Sequence, residues 1–527
     1  MRQILITLFV LNLLFVALAW PLRESAGLPL VAAEALLLTG LFLLLPSARF
    51  RAIPARGIAL LYVLAALFVG FDVLVQTSLG RSLNVYLDLP LLRSAYDLSM
   101  TNLGGLSTAL IAVGGLALAG VVIWLLESLL TRLPATGQRT RLTGAGLLLA
   151  GLGAGLAAPM TGGLVAAQGI AVLGNQWQQA QDTRLARQAF AENITREAEQ
   201  HEPSAMPGLA DRDVYLVFVE SYGMEAITDE RYSNVIEDRL NSMEQQLDEV
   251  GMAALTGRLK APIQGGQSWL AHATLLSGQW IPNQLKYETL LDSGAPTLVG
   301  DFSRIGHAVH AVIPANTRDW PEGRQYGFDA VHDSTNMGYE GPAMNFFTMP
   351  DQYTLSWLHH TLRQQEEAPL FAMAALISSH APWVPVIPIV DWNEIDDGAV
   401  FDEHADGHPS PDEVFQDNER VRRFYLDSVE YSLQVVADFA ERYLPEDALL
   451  IAIGDHEAPP VVTRPEVNRA VPIHLISGDE TLLSAWEEIA DDAFAATLRE
   501  GMWPGREQTP EAPGMDAFRA ALHRAYD

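Results

Sequence analysis

The sequence predicts an N-terminal α-helical membrane bundle of five spans, followed by an α/β domain with a central, largely parallel sheet. Three observations predict it. Apolar runs of about 20 residues, each long enough to cross a bilayer as a helix, fill the first third of the chain. Beyond residue 213, short and continuously apolar runs alternate with helix-compatible stretches, the pattern of buried strands in a layered α/β domain. The charge also changes sign between the two parts. Residues 1–174 hold ten Arg, no Lys and six acidic residues, a net of +4, and residues 175–527 carry a net of −35.

A chain of 527 residues exceeds one simple core, so at least two structural units are expected. The absence of Cys excludes structural disulfides and thiolate metal sites. A block as acidic as 175–527 repels nucleic acid and anionic headgroups, which excludes nucleic acid as a partner. The only lysines are Lys260 and Lys286. A Lys-poor, acid-rich surface suits high salt, where self-repulsion is screened.

The five spans are expected near 3–20, 27–46, 57–76, 105–126 and 142–160. Five such runs in succession, almost without internal charge, argue against buried core helices. Arg49, Arg51 and Arg56 crowd the second loop and Arg132, Arg139 and Arg141 the fourth. The first and third loops are weaker, with Arg23 beside Glu24, then Arg81 and Arg93 spread among Asp88 and Asp97. Arg-rich loops mark the cytoplasmic side, which puts the N-terminus inside and everything after the fifth span outside. Segment 3–20 ends in Ala17-Leu18-Ala19, which has the form of a signal-peptide cleavage site. Glu34 and Asp72 lie within spans, where a carboxylate is a functional candidate by default. Asp72 is near a span end and can reach the interface.

Residues 175–212 read as a linker helix leaving the membrane, punctuated by Pro203 and Pro207. The remainder, 213–527, reads as one outward-facing α/β domain. Its apolar runs fall at 214–219, 308–313, 371–377, 448–453 and 471–476, with helices near 230–250 and 418–442. In parallel sheets, ligands bind beyond the carboxyl ends of the strands. The first run ends at Glu220, the third at Ser378, Ser379 and His380, and the fourth at Gly454, Asp455, His456 and Glu457. Each alone is weak, since a strand-end carboxylate is more often a turn former. Together, Glu220, Asp455, His456 and His380 make a set of oxygen and imidazole donors suited to one divalent cation. In "GGQSWLAH", Ser268 opens a helix. It reads either as an N-cap or as a nucleophile held where a helix N-terminus favours negative charge. Residues 391–418 are acidic and turn-rich without EF-hand spacing, and read as a solvated insertion near the site, with cation binding there as the alternative.

A strand ending in Glu ("VFVES"), a Gly-rich turn with Ser opening a helix ("GGQSWLAH"), a strand ending in Ser-His ("SSHAPW") and a strand ending in Gly-Asp-His ("IGDHE") follow in that order. This order resembles the sulfatase-like branch of the alkaline phosphatase superfamily. Five spans before an outward-facing domain are similar to the lipoteichoic acid synthase and phosphoglycerol transferase group. The resemblance runs from about 213 to 480. It implies Glu220, Asp455 and His456 as metal ligands, and Ser268, where the group commonly has Thr, as nucleophile and fourth ligand. It implies His380 as a contact of the transferred phosphate. "NTRDWPEGRQYGFD" implies Arg318 as a phosphate clamp, assisted by Trp320.

Three departures narrow the reading. An additional substrate His of the lipoteichoic acid synthases gives way to Pro314. Sulfatases mature a Cys or Ser followed by Pro two residues on and Arg four residues on; here Ser268 is followed by Trp269, Leu270, Ala271 and His272. Phosphoethanolamine transferases of this architecture usually carry disulfides, and this chain has no Cys. The expected function is therefore a metal-dependent transferase of the bacterial inner membrane, with its catalytic domain extracytoplasmic. It moves a phosphoglycerol-like group from a membrane phospholipid to an envelope glycan or polymer through a phospho-Ser intermediate. The expected cofactor is one divalent cation, Mn²⁺ or Mg²⁺, with Zn²⁺ as the further option. The alternatives are a hydrolase of phosphate or sulfate esters on the same fold, and a non-catalytic envelope protein with a structural metal site.

Overall fold

The computed structural model describes residues 1–19, 29–88, 91–134, 137–161, 163–200, 204–344, 347–464, 467–506 and 510–527. Chain contacts divide it into two units, one of residues 1–76 and 81–186 and the other of residues 77–80 and 187–527.

The first unit is helical: α1 (Arg2–Ala19), α2 (Ala33–Leu44), α3 (Ala48–Leu79), α4 (Leu91–Thr131), α5 (Gln138–Ala157) and the start of α6 (Gln168–Gln200). Among the described residues, three helices are long and apolar enough to cross a membrane: Ala48–Leu79, Gly104–Thr131 and Gln138–Ala157. Five were expected: α1 runs 18 residues, the length expected of it, and α2 is shorter than expected. α2 has 12 residues, about 18 Å of helix against a hydrocarbon core of about 30 Å. It cannot begin at 27, because Val31–Ala32 is extended and pairs with Val165–Ala166 in a two-residue parallel ladder. It ends where Leu45 turns to an extended conformation ahead of Pro46. Residue 20 of the first expected span, residues 27 and 28 of the second, Arg23, Glu24 and Pro203 lie outside the described residues.

Local chemistry explains several features of this unit. Gly104 breaks α4 with φ 75. A Cβ on Gly40 would lie 2.5 Å from the Leu148 amide nitrogen, so glycine lets α2 and α5 approach closely. Arg51 is buried and donates to the carbonyls of Leu45, Leu133 and Pro134. Arg56 pairs with Glu127. The second and fourth loops, both Arg-rich, thus meet at one end of the bundle. Glu34 accepts from the Gly169 amide at 2.9 Å, in the first turn of α6, where a carboxylate satisfies an otherwise unpaired N–H. Asp72 accepts from the Leu83 amide and from Gln76. Both carboxylates thereby have structural partners.

The second unit is built on an eight-stranded sheet. Its strands are β1 (Val214–Val219), β2 (Ala253–Lys260), β3 (Ala308–Ile313), β4 (Ala330–Asp333), β5 (Leu370–Ala375), β6 (Leu449–Gly454), β7 (Ala470–Ser477) and β8 (Arg499–Glu500). Their spatial order is β8-β2-β7-β6-β1-β5-β3-β4. The half containing β6, β1, β5, β3 and β4 is parallel. β7, β2 and β8 add antiparallel neighbours. β1 is buried along its whole length, and its side chains divide by alternation. Val214, Leu216 and Phe218 enter one core, and Tyr215, Val217 and Val219 the other. Helices α7 (Ser233–Glu249), α8 (Ser268–Ser277), α9 (Asp351–Trp357) and α10 (Asn418–Tyr443) pack around the sheet. α10 buries Val421, Tyr425, Val429 and Leu433, the 3.6-residue stripe visible in its sequence.

Candidate active site

Strand register brings the site together. β1 lies between β6 and β5, with Val219 opposite Gly454 and Phe218 opposite Ala375. Glu220, Asp455 and the Ser378–His380 turn therefore leave the sheet at the same edge. Glu220 follows Phe218 by two residues and shares its face. Ser268 precedes His272 by one helical turn on α8. The His272 ring lies against Phe218, centroids 4.0 Å apart, so the next rung up sets Ser268 against Glu220.

The N-cap expectation for Ser268 is corrected by the structure. Gln267 occupies the cap in a left-handed conformation (φ 68), with no side-chain cap bond, and Ser268 is the first helical residue. Gly265 (φ 73) and Gly266 (φ 141) precede it, so three left-handed residues swing the chain into the helix. The Ser268 hydroxyl is thus free of capping and turns inward. It donates to Glu220 Oε2 at 3.0 Å and lies 3.2 Å from His456 Nε2.

The donor atoms of Glu220, Asp455 and His456 all lie within 4.8 Å of one another, and all three side chains are buried. His456 Nε2 is 3.3 Å from Glu220 Oε1 and 3.7 Å from Asp455 Oδ2. Bonds of about 2.1 Å around a tetrahedral ion put its ligands about 3.4 Å apart, so this spacing fits one ion. The next layer fixes the donors. His456 Nδ1–H donates to the Glu457 carbonyl at 2.9 Å, which leaves Nε2 for the site. Asp455 Oδ1 accepts from the amides of Ser221 and His456. The Ser221 hydroxyl donates to Glu220 Oε1 at 2.9 Å.

Electrostatics support the same fit. Burial, and then the Glu220 carboxylate, push Asp455 up to about 8. Burial opposes charge on His456, but Asp455 and Glu220 outweigh it and hold the ring up to about 9. Burial likewise opposes ionisation of Glu220, yet the His456 and His380 rings keep its carboxyl well below the usual range. Two carboxylates and an imidazole confined to one buried space fit a divalent cation, which offsets both negative charges.

His380 follows β5 on a turn tied to the site. Its Nδ1–H donates to the Ala381 carbonyl at 2.6 Å, and the Ser379 hydroxyl donates to the Glu220 carbonyl at 2.6 Å. Arg318 is exposed on the loop beyond β3. Trp320 packs over Gly323 and beside Tyr326 and Phe328, with centroids 5.7 and 6.3 Å away. Among the described residues, no hydrogen bond, ion pair or ring contact joins Arg318 or Trp320 to the Ser268 cluster. Sequence reasoning gave no role to Ser221, Ser379 or His272. Ser221 and Ser379 sit beside motif residues, but only the left-handed φ of Ser221 (57) and the hydrogen-bond partners of both give them roles. Burial pushes His272 down to about 4, and its Nε2 is buried without a hydrogen-bond partner among the described residues.

No family model matches the chain, and no curated protein matches it. Solved structures do. The lipoteichoic acid synthase LtaP from Listeria monocytogenes is 14% identical, over 54% of this chain and 71% of that one, with a TM-score of 0.37. The phosphoglycerol transferase GacH from Streptococcus pyogenes, in complex with sn-glycerol-1-phosphate, is 13% identical over 64% and 90%, TM-score 0.34. The C-terminal periplasmic domain of EcEptC from Escherichia coli is 14% identical over 53% and 74%, TM-score 0.32. The chemistry of the site rests on the chain's own side chains.

Proposed function

We propose that the chain is a metal-dependent phosphotransferase that takes a phosphoglycerol-like group from a membrane phospholipid onto Ser268 and passes it to an envelope glycan or polymer. The observation that carries this reading is the Ser268 hydroxyl, set 3.0 Å from Glu220 and 3.2 Å from His456 inside a buried donor cluster. A hydroxyl that merely caps a helix would bond its own helix amides instead.

Glu220, Asp455, His456 and Ser268 would hold the cation. When bound, a divalent cation lowers the pKa of a coordinated hydroxyl and offsets charge on the phosphoryl oxygens. The chain's own groups do the rest. Ser268 Oγ, its proton given up to solvent beforehand, attacks phosphorus, the bond from phosphorus to the lipid oxygen breaks, and protonated His380 gives that oxygen a proton. Arg318 is the cation assigned to the remaining phosphoryl oxygens, which its planar fork suits. An acceptor hydroxyl then attacks the phospho-Ser, returning a proton to His380 and releasing Ser268. The catalytic unit acts on the extracytoplasmic side, the side opposite the Arg-rich loops.

The test is incubation of the full chain in nanodiscs with Mn²⁺ and phosphatidylglycerol labelled in its glycerol headgroup, with and without an oligosaccharide acceptor. The reading expects diacylglycerol release and labelled acceptor. Glycerol phosphate released at the same rate with and without acceptor assigns the site to a hydrolase instead. No release from any phosphodiester lipid overturns the enzymatic reading.

A further inference from the structure

Asp351 opens α9 and is fully buried, with no solvent exposure, far in sequence from every motif residue. Its carboxylate is spent on one short turn. Oδ1 accepts from the amides of Ile377 at 2.7 Å and Ser378 at 2.9 Å. The Asp351 amide donates back to Ser378 Oγ at 3.0 Å. Oδ2 accepts from Ser432 Oγ of α10 at 2.7 Å, and Ser432 lies 3.5 Å from Ser379 Oγ. Ser379 in turn donates to the Glu220 carbonyl. Ser378, Ser379 and Ser432 are all buried. The turn these bonds hold is the one from which His380 projects.

From this network we infer that Asp351 is the positioning residue for His380, fixing the Ile377–His380 turn, and with it the imidazole, against the Glu220 end of β1. The inference rests on the function proposed above for His380. The physical case is one of specificity rather than bulk stability. After Ala375 the sheet ladder ends, and only Leu376, bonded to the Phe218 carbonyl, still belongs to it. The amides of Ile377 and Ser378 have no strand partner there. A buried N–H needs an acceptor. A carboxylate takes both with one oxygen and keeps the other for α10, so three elements are locked by one side chain. The bond from the His380 amide to the Ile377 carbonyl at 3.0 Å then sets the turn itself. Asp351 touches neither Ser268 nor the three buried donors, so it acts through His380 and not as a catalytic residue.

Two measurements test this on the full chain in nanodiscs. Hydrogen exchange over residues 371–383 reads the anchor without reference to chemistry. Asp351→Ala should speed exchange of the Ile377 and Ser378 amides at least about tenfold, while Asp351→Asn, whose amide oxygen still accepts and whose NH₂ faces a Ser hydroxyl that can also accept, should stay near wild type. Diacylglycerol release from phosphatidylglycerol with Mn²⁺ reads the consequence. Asp351→Ala should lose about 100-fold in kcat, as a misplaced acid–base group does, with bound Mn²⁺ per chain unchanged. Added to His380→Ala it should cost less than about 3-fold more, because one path serves both residues. Unchanged exchange in Asp351→Ala, or losses that multiply in the double variant, overturn the inference. Faster exchange in Asp351→Ala combined with full turnover in His380→Ala keeps the anchor and removes the proton role of His380, so the two failures are distinguishable.

Discussion

A methyl group on Gly454 would lie 1.8 Å from the Tyr222 carbonyl oxygen and 2.8 Å from its carbon. Gly454 closes β6 one residue before Asp455, and Tyr222 follows Glu220 by two, so the two ligand-bearing strand ends touch there. Ordinary contact needs about 3.5 Å, and the obstructing atom is backbone, which cannot rotate aside. Overpacking costs about 1–3 kcal/mol where side chains yield. Gly454→Ala should therefore cost about 3 kcal/mol, a large part of a typical 5–15 kcal/mol of stability. It should also separate Glu220 from Asp455. The assay is thermal unfolding together with metal content per chain. Gly454→Ala should melt roughly 4 °C lower, about 3 kcal/mol over an unfolding entropy of about 0.7 kcal/mol/K for a unit of this size, and retain little metal. Gly300→Ala, whose nearest new neighbour is 3.6 Å away, is the control and should do neither. A Gly454→Ala protein with wild-type melting and full metal would refute the close approach on which the site's geometry depends.

Three further outcomes are expected. Ser268→Ala should melt within about 0.5–1.5 kcal/mol of wild type, the worth of a hydrogen bond, yet lose turnover by orders of magnitude; Ser268→Thr should retain part of it, and Ser268→Cys should be poor with Mn²⁺ or Mg²⁺, which favour oxygen. Glu220→Ala, Asp455→Ala and His456→Ala should each lose bound metal and activity by elemental analysis and lipid assay, as chelation of the wild type should. His474 is buried between Tyr222 OH (3.1 Å) and Thr256 Oγ (2.8 Å), and burial holds it down at about 3. Below pH about 6.5 the unfolded chain takes up a proton that folded His474 refuses, so stability falls with pH toward 3 by about 1.4 kcal/mol per unit for this group. Denaturant titrations of His474→Gln should show a shallower acid slope than wild type.

Legibility in the sequence followed the range of the forces involved. β1 could be read directly because its six buried residues form one apolar run, and so could the α10 stripe. β2 could not: Thr256, Arg258 and Lys260 interrupt its apolar residues, and only antiparallel pairing with β7 buries it. The shortness of α2 depends on Val31–Ala32 pairing with residues 134 positions away, which hydropathy does not register. Within the site, strand-end donors were legible because a polar group at the end of a buried run is conspicuous. The cap reading of Ser268 failed because local propensity cannot see Gln267 adopt a left-handed conformation and take the cap itself. Asp351 was invisible, since its partners Ile377, Ser378 and Ser432 meet it only in the folded chain. Nothing in its own neighbourhood marks it.

The central claim, that Ser268 itself attacks phosphorus, is tested most directly by mass spectrometry of the Ser268 peptide. The full chain with Mn²⁺ is mixed with phosphatidylglycerol, quenched in acid within a turnover and digested. The proposed mechanism predicts a phosphoglycerol group on Ser268, lost on addition of acceptor and absent from Ser268→Ala and from metal-free protein. Diacylglycerol released at full rate by Ser268→Ala, with the wild-type Ser268 peptide unmodified throughout, would contradict it.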